Sequence, residues 1–128
     1  MQYLSDAWIE AADTALSEGW DAGADDGDGT TIAYTVSGTP QGKVTYHLHF
    51  GPEGAGVASG LPDADPDVTM ELDYDTAREI ERGEASAQVA FMQGRIKLGG
   101  DVTVLLRGAE RLAAVGDVLA SLRDRTDD

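Results

Sequence analysis

The sequence predicts one α+β domain over residues 1–128, in which helices cover one face of a largely antiparallel sheet. Four segments alternate apolar and polar residues between Gly- and Pro-rich turns, which is typical of half-buried strands. Other segments place apolar residues at helical spacing. A chain of 128 residues, of which 41% are apolar, can bury one core and is too short for a second sizeable one.

The first half of the chain begins with a helix, predicted over Leu4–Glu18 from the spacing of its apolar residues. Ser5 is a suitable N-cap, and Gly19 is predicted to end the helix in the left-handed conformation. The acidic segment that follows predicts a loop. Runs 31–37 and 43–50 alternate on either side of a Gly/Pro turn, so they predict an antiparallel hairpin with one buried face.

The middle of the chain adds two strands and a short helix. Gly54–Ser59 is a weaker third strand, and residues 68–72 alternate again as a fourth. Asp73 is a suitable N-cap for a helix over Tyr74–Arg82.

The last third of the chain predicts a strand between two helices. A short helix is predicted over about Ala85–Gln93, and a fifth strand over Arg95–Leu98. We expect a positive φ at Gly94, because a single residue is left there to redirect the chain. Asp101 is predicted to cap a final helix. The apolar residues at core spacing in that helix are Leu105, Ala109, Leu112, Val115, Leu119 and Leu122.

The charge of the chain argues against several classes of partner. Acids outnumber bases by 24 to 9, which gives a formal net charge of -15. Binding to nucleic acid through phosphates needs clustered Lys and Arg, so we expect no nucleic-acid partner. No apolar run approaches the ~18 residues needed to span a bilayer, and the N-terminus lacks the pattern of a signal peptide. We therefore expect a cytoplasmic protein without stable membrane insertion.

The acids are also skewed, with sixteen Asp against eight Glu, while lysine is represented only by Lys43 and Lys97. One hypothesis is a halophilic surface, in which salt screens the repulsion among carboxylates. A GC-rich genome gives a similar preference for Arg over Lys, so both explanations remain open.

Candidate catalytic and metal sites are few. His47 and His49 lie two residues apart on one strand face, but the chain has no other His and no Cys to complete a zinc site. We interpret both as exposed residues on the polar face of their strand. The Asp-rich loops fail the calcium-loop pattern, and no serine lies in a nucleophile elbow. The sequence therefore predicts neither a metal site nor a cofactor.

Three segments resemble the sterol carrier protein family: residues 67–73 (DVTMELD), residues 80–84 (IERGE) and residues 90–101 (AFMQGRIKLGGD). That family typically shows Ala-Phe-x-x-Gly-Lys-x-Lys-x-x-Gly-Asp before its last helix. The resemblance implies a five-stranded sheet with an apolar tunnel between the sheet and the helices. It also implies non-enzymatic binding or transfer of a fatty acid, a fatty acyl-CoA or a sterol-like lipid.

On that resemblance, we expect the tunnel to be lined by Tyr46, Leu48, Met70, Phe91, Met92, Ile96, Leu98, Val102, Leu105 and Leu106, with Gln93 as a polar contact near its mouth. One alternative is an accessory or interaction domain whose cavity is filled by side chains. Another is a small α+β enzyme that uses His47 or His49 with an Asp. The identity and length of the ligand and the oligomeric state are left open by the sequence.

Overall fold

The computed structural model describes residues 2–20, 29–63, 65–104, 109–122, 124 and 126. The loop predicted after the first helix lies almost entirely outside these residues. Elsewhere the predicted order of helices and strands is confirmed.

Five strands form one mixed sheet. They are β1 (Thr30–Thr39), β2 (Gly42–Gly51), β3 (Gly54–Ser59), β4 (Val68–Asp73) and β5 (Ile96–Gly100). Their order across the sheet is β3-β2-β1-β4-β5. Strands β1 and β4 pair in parallel, and the other three neighbouring pairs are antiparallel. The prediction of a largely antiparallel sheet is confirmed.

Helix α1 (Asp6–Gly19) begins as predicted, because the Ser5 hydroxyl accepts a hydrogen bond from the backbone N–H of Trp8. The predicted left-handed ending at Gly19 is wrong. Gly19 is the last helical residue, and its φ is not positive. A Cβ at this position would lie 3.1 Å from Cγ1 of Val118, so the glycine permits close approach of the C-terminal helix.

Three further helices complete the fold: α2 (Tyr74–Glu81), α3 (Ala87–Met92) and α4 (Ala109–Ala120). Asp73 caps α2 as predicted, and hydrogen bonds from the Thr76 side chain and backbone hold the pKa of Asp73 below its usual value. Among the described residues, no helix is long and apolar enough to cross a bilayer.

The turn from α3 into β5 uses a backbone conformation that favours glycine. Gly94 has a φ of 77°, which confirms the expectation from the sequence. At the other end of β5, Gly100 has a φ of 80°. Asp101 follows it and accepts a hydrogen bond from the backbone N–H of Thr103, consistent with the predicted cap.

The buried core lies between the helices and one face of the sheet. Helix α1 contributes one apolar stripe, and β1, β2 and β4 contribute every second residue. The largest core side chains from these elements are Trp8, Ile9, Leu16, Ile32, Val36, Leu48, Phe50 and Val68.

Helix α1 also covers the exposed edge of the sheet at β3. The backbone N–H of Val57 donates to Oδ1 of Asp13, and the hydroxyl of Ser17 donates to the carbonyl of Ala55. An edge strand presents unpaired backbone groups that invite pairing with another chain. Asp13 and Ser17 lie four residues apart on one helix face, so α1 forms hydrogen bonds with two of the backbone groups of β3.

Candidate functional site

A cavity of about 530 Å³ separates the inner face of the sheet from the helices. This volume falls within the range of about 300–1,000 Å³ that is typical of small-molecule sites. Most of its described wall is aliphatic. The strands contribute Val36, Leu48, Val57, Met70, Leu72 and Ile96, and the helices contribute Ala77, Ile80, Val115, Leu119 and Ala120.

Four aromatic side chains line one region of this cavity: Tyr3, Trp8, Tyr34 and Tyr46. The Tyr34 and Tyr46 rings stack with their centroids 4.9 Å apart. Tyr3 meets Trp8 edge to face, also at 4.9 Å. These contacts fix large, flat surfaces in place, and the phenol oxygens and the indole N–H of Trp8 are polar atoms of this region.

An ion pair lies beside these aromatic rings. Nη1 of Arg78 is 3.1 Å from Oε2 of Glu81, and the two side chains are only 7% and 10% exposed. The guanidinium of Arg78 also lies over the Tyr3 ring, 5.3 Å from its centroid. Glu81 lines the cavity, whereas Arg78 is not part of its described wall.

Burial keeps the tyrosines of this region neutral. It is the main cause that raises the pKa of Tyr3, of Tyr34 and of Tyr46. The carboxylate of Glu81 raises the pKa of Tyr3 further. The Tyr46 hydroxyl donates a hydrogen bond to the oxygen of Tyr3, which raises the pKa of Tyr46 and lowers that of Tyr3.

The exposed members of the wall mark an opening. Gly83 and Ser86 lie in the connection between α2 and α3, and Gly116 and Asp117 lie on α4. All four are exposed to solvent, whereas the wall residues on the strands are buried or half-buried. The cavity therefore opens between this connection and α4, with a carboxylate at its rim.

A second, wider depression of about 790 Å³ lies between α1 and α4. Its described wall contains no aromatic residue and includes Glu10, Glu18 and Asp117. These are acidic side chains at the surface, so this depression is less suited to an apolar ligand than the cavity beneath the sheet.

The structure brings four of the residues predicted to line the tunnel to the cavity wall: Tyr46, Leu48, Met70 and Ile96. Leu98 is half-buried and packs beside Met70 without lining the cavity. Leu105 and Leu106 lie outside the described residues.

Phe91, Met92, Gln93 and Val102 are not brought to this wall. Phe91 is 49% exposed and Met92 is 77% exposed. Helix α3 is a single short element of which Ala90 alone is buried among the described side chains. Apolar residues on its other faces point to solvent, because so short a helix can bury only a narrow stripe. Their roles as lipid contacts remain predictions.

Some wall residues were missed by the sequence analysis, notably Tyr3, Trp8 and Glu81. A signal existed for Glu81, since Ala77 and Glu81 are four residues apart in α2 and therefore share a helix face. No periodic pattern indicated Tyr3, which precedes α1.

Both histidines project from the side of β2 that faces away from the cavity. Tyr46 and Leu48 line the cavity, so the alternating residues His47 and His49 lie on the opposite face. Nδ1 of His47 donates to the carbonyl oxygen of Gly60 at 2.9 Å, and His49 is exposed. In the described part of the chain, no cluster of three or more His, Asp or Glu side chains could hold a metal ion.

A comparison with models of protein families matches residues 11–112 to the SCP-2 sterol transfer family. The chain belongs to this family. A search of curated protein sequences found no match.

Solved structures agree with this membership at the level of the fold. A conserved hypothetical protein of Thermus thermophilus, described as possibly a sterol carrier protein, is 24% identical, with a TM-score of 0.71 over 94% of this chain and 90% of that chain. A crystal structure of sterol carrier protein 2 is 23% identical, with a TM-score of 0.70 over 93% and 98% of the two chains. The palmitated form of SCP2L2 from Aedes aegypti is 20% identical, with a TM-score of 0.61 over 93% and 95%.

Proposed function

We propose that this SCP-2 family chain binds a long-chain apolar lipid in the cavity beneath the sheet and carries it without covalent chemistry. The observation that supports this most directly is the apolar wall of a cavity of about 530 Å³. Burial of each methylene group contributes roughly 0.8 kcal/mol, so a long acyl chain or a fused-ring lipid has a large driving force to enter.

Membership in a sterol transfer family supports the same ligand class. So does the related fold of SCP2L2, which was solved in a palmitated form. On this proposal Tyr46, Leu48, Met70 and Ile96 contact the lipid, and it enters between α4 and the connection that precedes α3.

Binding of a fluorescent lipid analogue with an uncharged head group, such as a labelled fatty alcohol, tests this function. The purified protein should bind it saturably with one site per chain. Ile80→Trp adds volume to the wall and should weaken binding at least tenfold, because the cavity would then be too narrow for the hydrocarbon chain of the probe. Absence of saturable binding by the unaltered protein would contradict the proposal.

Leu61→Trp provides a matched control, because Leu61 is 70% exposed and lies outside the cavity wall. It should bind like the unaltered protein. Met92→Ser, tested in the same titration, addresses the lining predicted on α3: a tenfold loss would show that the lipid also contacts that helix.

The accessory-domain alternative makes the opposite prediction for protein as purified. A cavity filled by its own side chains would leave no room for a co-purified lipid. Native mass spectrometry should show a lipid-sized mass that leaves on mild activation. A bare chain that also ignores added lipid would favour the accessory domain.

The enzyme alternative depends on His47 or His49 lying in the cavity, and both lie on the opposite face. Replacing both by Gln should therefore leave lipid affinity within about twofold of its original value, a difference that corresponds to well under 1 kcal/mol. The same titration measures it, together with elemental analysis of the purified protein. Stoichiometric zinc, or a large loss of affinity, would favour the enzyme instead.

A further inference from the structure

Three polar groups interrupt the aliphatic wall of the cavity at one place. The hydroxyls of Tyr3 and Tyr46 are joined by a hydrogen bond, and the Glu81 carboxylate interacts electrostatically with Tyr3. All three residues line the cavity. Arg78 pairs with Glu81 and lies over the Tyr3 ring, which holds this set together from outside the cavity.

We propose that Tyr3, Tyr46 and Glu81 form a head-group site that holds an uncharged hydroxyl of the bound lipid and disfavours a carboxylate. This inference rests on the proposed function, because it concerns which lipid the same cavity selects.

The charges of the wall support this selection. Glu81 and Asp117 both line the cavity, and no Lys, Arg or His is found among the described residues of the wall. Arg78, which lies outside the described wall, forms an ion pair with Glu81. Beside Glu81, a buried carboxylate head group would therefore face a like charge and meet no cation among the described wall residues, which is strongly unfavourable in a poorly solvated site.

Hydrogen bonding favours a hydroxyl for a separate reason. A hydroxyl both donates and accepts, whereas an ionised carboxylate only accepts. The Glu81 carboxylate can accept from it, and the neutral phenols of Tyr3 and Tyr46 supply polar atoms beside it. The indole N–H of Trp8, also in the wall, has no hydrogen-bond acceptor within the described part of the chain. The oxygen of a hydroxyl placed here is a suitable acceptor for it.

Three lipids of equal chain length distinguish the effect of head-group charge on affinity from the effect of hydrogen bonding. Hexadecanol, methyl hexadecanoate and hexadecanoate should each compete with a fluorescent lipid at about pH 8, where a carboxylic acid is ionised. We expect hexadecanol to bind most tightly, the methyl ester next, and hexadecanoate at least tenfold more weakly than hexadecanol. Equal affinities, or tighter binding of hexadecanoate, would overturn the inference.

The Glu81→Gln variant tests whether Glu81 causes the preference for a hydroxyl over a carboxylate. It removes the carboxylate and leaves the Arg78 guanidinium without this partner, so the preference for hexadecanol over hexadecanoate should fall at least tenfold. Glu71→Gln removes the same charge from an exposed position of β4, and it should keep the original preference. An unchanged preference in a folded Glu81→Gln variant would overturn the assignment.

Tyr3→Phe keeps the ring that packs on Trp8 and Arg78, so it provides a milder test should Glu81→Gln fail to fold. It should weaken hexadecanol binding several-fold and leave the methyl ester unchanged. Equal effects on the two ligands would contradict the head-group site. Failure of all three lipids to bind the unaltered protein would instead contradict the proposed function, so the two failures are distinguishable.

Discussion

Replacing Arg78 by Met should destabilise the fold by about 3–5 kcal/mol, because it removes one partner of a buried ion pair. Arg78 and Glu81 are 7% and 10% exposed, with a 3.1 Å contact between them. The variant also loses the guanidinium above the Tyr3 ring. Urea denaturation measures the effect as a change in the free energy of unfolding. A loss of this size is a large fraction of the total stability of a small domain.

The double variant Arg78→Met/Glu81→Leu separates the ion pair from the volume of the side chains. Removing both charges should recover much of the stability that the single change loses, since an apolar pair of similar size needs no desolvation of charge. Lys97→Met removes a cation from an exposed position of β5 and should change stability by less than about 0.5 kcal/mol. A double variant as unstable as Arg78→Met would show that the pair is not the cause.

Gly100→Ala should destabilise the protein by about 2–5 kcal/mol, because it combines backbone strain with a steric clash. The φ of 80° at Gly100 disfavours any residue with a Cβ. That Cβ would lie 2.6 Å from the carbonyl oxygen of Asp67. The same oxygen accepts a hydrogen bond from the N–H of Asp101, so relief of the clash disrupts the start of the β4–β5 pairing.

Gly94→Ala isolates the backbone strain. Its φ of 77° nearly equals that of Gly100, but a Cβ at Gly94 has no atom within 4 Å among those compared. Gly94→Ala should destabilise the protein by about 1–2 kcal/mol, which is the contribution of backbone strain alone. Chemical denaturation gives the free energy of unfolding of Gly94→Ala and of Gly100→Ala. The difference between their two losses is the energetic cost of the steric clash at Gly100. Equal losses of stability in the two variants would show that the backbone around Asp67 shifts to relieve the clash without destabilising the protein.

The strands and helix caps were predictable because their signals are local. Alternation along β1 and β2 predicted that Tyr46 and Leu48 face inward, and both residues line the cavity. Ser5 and Asp73 cap α1 and α2 as predicted, since a side-chain acceptor three residues before a backbone N–H is a property of the sequence itself.

The site was predicted only in part, because a cavity is made by elements that are distant in the chain. The strand residues Met70 and Ile96 lie in the cavity wall, whereas Phe91 and Met92, which were predicted to line it, are exposed and lie outside the described wall. The apolar residues of a six-residue helix do not predict which face of that helix is buried against the rest of the fold.

The sequence by itself determined the order of elements, the turn at Gly94 and the inward face of each central strand, since these follow from dihedral preference and from the period of two. Tertiary structure alone decided that Gly19 makes room for Val118 rather than reversing the chain. It also decided that Tyr3 and Glu81, 78 positions apart in the chain, share one wall of the cavity. Such pairings depend on how α1, α2 and the sheet pack together, and packing is a property of the whole chain, which no local pattern contains.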